Sequence, residues 1–313
     1  MVASRITLTS AMVDQFVTLF RGRADVYGSW GGGCVRKSLS PDKFLGHLQG
    51  DELIGVYPLL PYKSNWYCVW GCSDIDVDDL DAARNLEMAF TIKGIKSWVE
   101  KTRKGYHVWV FADSLVSGAT MRRAFLAAHQ AVNYPAKEVN PKQETPGTGF
   151  GNYVRLPYPN AIQGLYNAER VVLDDNDQPM PLEAFLSEAM TTRATTEQLE
   201  SIASLWVPPR RVHVAQMEAT TDVRQALKRV GAIPYVIWRD GPIEGNDRSS
   251  ALFRLACKLR DCEASPQDAY TILKSADERW GKFHLRPDGD QEIAKMIERS
   301  YNIFFGESNE QQK

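Results

Sequence analysis

The sequence predicts an α+β protein: a mixed-sheet core followed by an all-helical bundle. Three observations carry that expectation. Strand-like apolar runs alternate with amphipathic helical stripes up to about residue 190, helical periodicity alone fills the chain from about residue 221, and cap signals stand where the helices should begin.

Taken in order, Thr9 or Ser10 can cap a first helix that turns Met12, Phe16, Leu19 and Phe20 inward, and Ser40-Pro41 opens a second in cap-then-proline order. Glu52 to Leu60 and Tyr67 to Val77 read as strands, and Asp79 to Lys93 reads as a helix closed by Gly94. Lys96 to Lys101 and Tyr106 to Ala112 form the arms of a hairpin whose turn is Arg103-Lys104-Gly105. The helix Gly118 to Asn133 places Met121, Ala124, Phe125, Ala128 and Val132 on one stripe, and short strands follow around Glu138 and from Tyr153 to Leu156. From Thr191 to Thr221 a polar run with one short helix and Trp206-Val-Pro-Pro-Arg-Arg211 reads as a connector. Beyond it, four helices make a small bundle. They are Asp222 to Val230, one capped by Asn246 or Asp247 with Leu252, Leu255, Ala256 and Leu259 inward, one opened by Ser265-Pro266, and one carrying Ile293, Met296, Ile297, Tyr301 and Phe304. The expected division is a core domain at 1–190, a linker at 191–220, a helical domain at 221–306 and a disordered polar tail at 307–313.

With 313 residues, 43% of them hydrophobic, the chain can bury a large core and is neither disordered nor fibrous. No apolar stretch approaches the ~20 residues of a membrane span and the N-terminus lacks a signal-peptide pattern, so a soluble, cytoplasmic protein of a bacterial cell is expected. The five cysteines, Cys34, Cys68, Cys72, Cys257 and Cys262, contain no C-x-x-C pair and are odd in number, which argues against a disulfide framework and against structural zinc. At a formal net charge of −2 neither half is globally basic, so any nucleic acid must be held by a local groove.

The chemistry begins with Asp74 and Asp76 at the end of the apolar strand Tyr67 to Val77. Side chains two apart on a strand share a face, and paired carboxylates repel and lose solvation unless a cation neutralises them, most often Mg²⁺ or Mn²⁺. The same residues also read as a strand-end pair followed by Asp78 and Asp79 capping the next helix. Lys101, Arg103, Lys104 and Gly105 lead into His107, a plausible phosphate cradle beside an imidazole, or a solvated basic turn. Glu138-Val-Asn-Pro-Lys-Gln143 offers a third carboxylate and Lys142. Past a glycine-rich loop, Arg155 in a short strand has a guanidinium suited to bidentate phosphate contact.

In that order, Asp74-Ile-Asp76, Lys104-Gly-Tyr-His107, Glu138-Val-Asn-Pro-Lys-Gln143 and Gly151-Asn-Tyr-Val-Arg-Leu-Pro157 resemble the archaeo-eukaryotic primase (AEP) superfamily, especially stand-alone phage and CRISPR-associated primase-polymerases. Phe20-Arg-Gly-Arg-Ala-Asp-Val-Tyr27 is similar to primase segments as well, and the likeness spans roughly residues 15 to 175. It implies an RRM-like catalytic core and a DNA-dependent primase-polymerase that starts and extends primers on single-stranded DNA from NTPs or dNTPs. Asp74, Asp76 and Glu138 would hold two Mg²⁺ or Mn²⁺ ions. Lys104, the Gly105 N–H, His107, Lys142 and Arg155 would contact the triphosphate. The family usually has Ser where Gly105 stands, which leaves a backbone donor to replace the hydroxyl.

Glu244-Gly-Asn-Asp-Arg-Ser-Ser-Ala-Leu252 with Leu255-Ala-Cys-Lys-Leu259 is similar to the PriCT-like helical accessory module that follows many phage and plasmid primase domains. There Arg248, Lys282 and Arg286 would contact DNA or the initiating nucleotide, or else serve as exposed helix-end charges. Tyr27, Trp30, Tyr62 and Trp66 are candidate stacking platforms for template bases, or core residues. A helicase or single-strand-binding protein would act in trans. Of the competing readings, a replication-initiator nuclease needs a His-hydrophobic-His pair that His47, His107, His129, His213 and His284 do not supply. A non-catalytic single-strand-binding accessory protein remains as the alternative.

Overall fold

Thr9 accepts a hydrogen bond from the Met12 backbone N–H (3.2 Å) and so opens the first helix, α1 (Ser10–Leu19), as its position before an apolar stripe requires. The computed structural model describes residues 6–146, 149–163, 170–208, 222–242 and 247–301. After α1 come β1 (Tyr27–Ser29), β2 (Cys34–Val35), α2 (Pro41–Gln49), β3 (Ile54–Val56), β4 (Leu60–Tyr62), β5 (Asn65–Ile75) and α3 (Leu80–Thr91). Then follow β6 (Trp98–Lys101), β7 (Tyr106–Ser117), α4 (Gly118–Ala131), β8 (Glu138–Asn140), β9 (Val154–Arg155), β10 (Val171–Val172), α5 (Leu182–Thr191) and α6 (Thr196–Ala203).

Two sheets result, with strand orders β2-β1-β3-β9 and β10-β6-β7-β5-β4. β5 is the spine of the second: β7 runs along one edge, while β4 and β8 share the other. Ladders between these strands are antiparallel, and among the described residues the mixed directions expected from the alternation of elements come down to one parallel bridge, Ala112 to Ala194. Trp70, Trp109, Phe111 and Phe20 fill the core beneath β5 and β7, packed edge to face. On the opposite side α4 lies so close that a Cβ on Gly71 would stand 2.5 Å from the Phe125 ring. Only a glycine lets that helix and strand approach this far.

The chain divides into two compact units at Val207–Pro208. The first ends later than the expected 190, because the short helix expected within the connector, α6, packs into its core. Thr195 and Gln198 form a capping box there, and Leu199 and Ile202 enter the core. The remaining linker residues 209–221 and the tail 307–313 lie outside the described residues.

The second unit holds α7 (Val223–Arg229), α8 (Ala232–Asp240), α9 (Arg248–Asp261), α10 (Pro266–Trp280) and α11 (Gly289–Tyr301) around Leu252, Leu255, Leu259, Tyr270 and Leu273. Four helices were expected here and five are described. The extra one is α8, whose Pro234 falls in the first helical turn, where proline is tolerated because no intrahelical donor is lost. No described helix is long and apolar enough to cross a membrane.

Candidate functional site

Antiparallel register sets one row of side chains across the larger sheet: Glu138 on β8 opposes Asp74 on β5, Asp74 opposes His107 on β7, and His107 opposes Glu100 on β6. Residues in one register row project from one face. The row therefore alternates acid, acid, imidazole and acid. Asp74, His107 and Glu138 line a cleft of about 410 Å³, with Tyr57, Asn140, Gly151, Asn152, Tyr153, Val154, Arg155 and Arg170. That volume falls in the range of small-ligand sites.

Hydrogen bonds fix the imidazole. His107 Nδ1–H donates to Glu100 Oε2 at 2.8 Å, and Nε2 stands 3.5 Å from Asp74 Oδ2. Glu100, with no exposed surface, also accepts from Trp109 Nε1 at 2.7 Å and from Arg170 Nη1 at 3.4 Å. Burial alone would lower the His107 pKa, but Cys72, Glu100 and Asp74 around it outweigh burial and hold it well above the ordinary imidazole value. Burial likewise works against the Asp74 charge. The hydrogen bond and charge of His107, with Arg170 and Lys104 beyond, prevail and keep its carboxyl below the usual value.

Of the residues expected from sequence, Asp74, His107, Glu138 and Arg155 meet in this cleft. Lys142 stands beside it, its Nζ 3.3 Å from Glu138 Oε1. Asp76 is not brought in: the β5–β7 ladder ends at the Ile75–Tyr106 pair, so Asp76 has left the sheet and lies exposed outside the lining. Lys104 is also exposed and outside the lining, reaching the site only through its charge on Asp74. The expected phosphate donor Gly105 N–H is engaged elsewhere, donating to Thr102 Oγ1 at 3.1 Å. Its glycine answers a different need, since a Cβ there would lie within 1.9 Å of the Ile75 carbonyl oxygen.

For a divalent ion the cleft offers oxygen donors: the opposed carboxylates of Asp74 and Glu138, and the buried side-chain oxygen of Asn140, which has no hydrogen-bond partner. An all-oxygen set of this kind suits a hard cation. Among the described residues no three His, Cys, Asp or Glu side chains cluster as a ready-made metal site, so Asp76 would join the pair only by turning inward.

Sequence reasoning missed Glu100, Arg170, Asn140 and Tyr57. Glu100 had a readable signal, because alternation puts it on the same strand face as Trp98, and a lone acid among inward aromatics needs a partner. Arg170 had none. Of the four proposed stacking platforms, Tyr27 is buried and donates to Glu52 Oε1 at 2.6 Å, Tyr62 is exposed and Trp66 half-buried. Trp30 sits half-buried under the guanidinium groups of Arg155 and Arg170, at 5.6 and 5.4 Å.

In the second unit Arg248 donates to the carbonyls of Trp280 and Gly281, at 3.0 and 2.8 Å, and Lys282 pairs with Asp247 at 3.2 Å. These two tie the start of α9 to the end of α10. Arg286 lies over the Phe283 ring at 5.4 Å. Residues 243–246 of the motif around Glu244 lie outside the described residues.

Residues 34–202 match the family described as "TOTE conflict system, Archaeo-Eukaryotic Primase domain". No curated protein matches the chain. A solved structure titled "Crystal structure of primase RepB'" aligns over 95% of this chain and 95% of its own, at 11% identity and a TM-score of 0.30.

Proposed function

This chain belongs to the archaeo-eukaryotic primase family of TOTE conflict systems, and from that premise we propose that it is a primase-polymerase, joining NTPs or dNTPs on a single-stranded DNA template. The observation that supports this most is the register row Glu138–Asp74–His107, lining one cleft with Arg155 and Arg170. Acids opposite a basic wall suit a polyanion bridged by cations, and suit a neutral ligand poorly.

Two Mg²⁺ or Mn²⁺ ions, held by Asp74, Glu138 and Asp76, would lower the pKa of a primer 3′-hydroxyl and screen the triphosphate. The chain itself orients the nucleotide. His107 Nε2 hydrogen-bonds a phosphate oxygen, Arg155 grips the leaving phosphates bidentately, and Lys142 and Lys104 add positive charge from the rim. In-line attack forms the new ester bond at the α-phosphorus as the bond to pyrophosphate breaks. Trp66 and Tyr62, with accessible ring surface, are template platforms in this reading, and the helical second unit, through Arg286, contacts template or the first nucleotide. A helicase or single-strand-binding protein would open the template in trans.

The test is incubation with unprimed single-stranded DNA, labelled nucleotides and Mn²⁺, with a primed template run beside it. Products on the unprimed strand support initiation, and products on the primed strand alone restrict the activity to extension. No incorporation on either, with strand binding indifferent to divalent ions, would leave a non-catalytic single-strand-binding accessory protein.

A further inference from the structure

Glu100 is a charged side chain with no exposed surface and three donors converging on it. Oε2 accepts from His107 Nδ1 and Trp109 Nε1, and Oε1 faces Arg170 Nη1 at 3.4 Å. It does not line the cleft, whereas His107 and Arg170 both do. A buried carboxylate is retained against its desolvation cost only when charge partners and hydrogen bonds hold it. Here two of the partners are themselves cleft-lining groups, His107 on β7 and Arg170 immediately before β10.

The geometry follows from the carboxylate's two oxygens. With Nδ1–H committed to Glu100, the ring cannot flip without losing that bond, and Nε2 is left facing Asp74 and the cleft. Arg170 is held from a second side, because Nη1 also donates to the Arg155 carbonyl oxygen at 3.2 Å and the guanidinium lies over Trp30. Among the described residues its Nε and Nη2 have no hydrogen-bond partner, which leaves them to serve an anion.

We propose that Glu100 is the positioning residue of this cleft, one buried carboxylate aiming both the His107 imidazole and the Arg170 guanidinium at the phosphates of a bound nucleotide, which makes Arg170 a phosphate-binding residue. The inference deepens the proposed function and rests on its premise that the cleft takes a nucleoside triphosphate. It assigns Arg170 a partner that its own motif-free sequence context does not suggest.

The experiment measures binding of a non-hydrolysable nucleoside triphosphate, without DNA, to the full chain and to Glu100→Gln, Arg170→Ala and Trp109→Phe. Histidine-ring ¹⁵N NMR reports the His107 Nδ1–H bond, and fluorescence anisotropy reports single-strand binding. Glu100→Gln and Arg170→Ala should each weaken triphosphate binding about tenfold or more. Trp109→Phe, which removes a Glu100 donor but no cleft group, should leave it near wild type, and the His107 Nδ1–H resonance should persist there, shifted by loss of the neighbouring indole, and weaken in Glu100→Gln alone. The inference is overturned if folded Glu100→Gln keeps both its His107 signal and its affinity, or if it loses strand binding and melting temperature in step with affinity, as a purely structural role would require. Should Glu100→Gln fail to fold, Arg170→Ala with undiminished affinity overturns it. Wild-type protein that binds no triphosphate removes the parent reading and this inference together, while wild type and variants binding equally remove this inference alone.

Discussion

Asp74 on β5 and Glu138 on β8 stand directly opposite one another, two carboxylates facing in one antiparallel pair. Like charges so placed repel across a ladder. Asp74 is steadied by His107 and Glu138 by Lys142, yet the pair presents two acids to one cleft, where a divalent cation relieves the repulsion and a bare phosphate increases it.

Neutralising either acid should separate activity from stability. Asp74→Asn and Glu138→Gln should each lower nucleotide incorporation by about 10²-fold or more, the scale of losing a preorganised electrostatic group. Melting temperatures should stay close to wild type, since a repulsion and an attraction are lost together. The double change Asp74→Ala with Asp76→Ala should abolish incorporation in a folded protein. Full polymerisation by that folded double variant would remove the site.

Ion binding should appear as stability. Mn²⁺ at about a hundred times its dissociation constant should raise wild-type unfolding free energy by about 3 kcal/mol, and should do so far less in Glu138→Gln. Thermal unfolding with and without the ion reads this directly, and equal stabilisation of both proteins would place the ion elsewhere.

Arg155 should act on binding more than on turnover. Arg155→Lys keeps the charge but loses the planar fork and the cation–π contact with Trp30. Its nucleotide KM should rise about tenfold, with a smaller change in kcat. Steady-state kinetics at saturating template measures the split.

Gly105 should resist restoration of the serine that the primase resemblance would place there. A Cβ at that position meets the carbonyl oxygens of Ile75 and Val77, which are backbone and cannot step aside. Gly105→Ser should therefore cost about 3 kcal/mol or more, at the upper end of overpacking penalties. Chemical denaturation of that variant at wild-type stability would show that the hairpin turn has room.

Two histidines outside the cleft set the acid limit. His47 donates from Nε2 to the Pro157 carbonyl and accepts at Nδ1 from the Ile54 N–H, while His129 is held between Ser73 Oγ and the Tyr134 carbonyl. Burial lowers the pKa of each to about 4. An unfolded imidazole takes a proton near pH 6.5, so stability is complete above that value and falls as the pH drops from 6.5 through 4. Each residue should withdraw about 3 kcal/mol across that window. Denaturation curves at stepped pH should show the loss, and His129→Gln should flatten part of it.

Helix starts were legible because a cap is a local event. Thr9, Asp79, Asp247 and Ser265 each accept from a backbone N–H three residues on, in the helix they precede, and nothing distant need be known. The strand bearing Asp74, the hairpin arms leading into His107 and the stripe of α4 were legible from periodicity for the same reason. Periodicity did not reveal α8, and it placed the short helix α6 in a connector although Leu199 and Ile202 belong to the core.

What the sequence determined by itself was the strands and helices that carry the site, and the identity of Asp74, His107, Glu138 and Arg155 as residues worth bringing together. Tertiary structure alone decided that Asp76 falls outside the ladder, that the Gly105 N–H is already taken by Thr102, and that Arg170 belongs with the cleft. The physical reason is that strand register is set between chains of residues far apart in sequence. Arg170 reaches Glu100 only once the chain has returned to lay β10 beside β6.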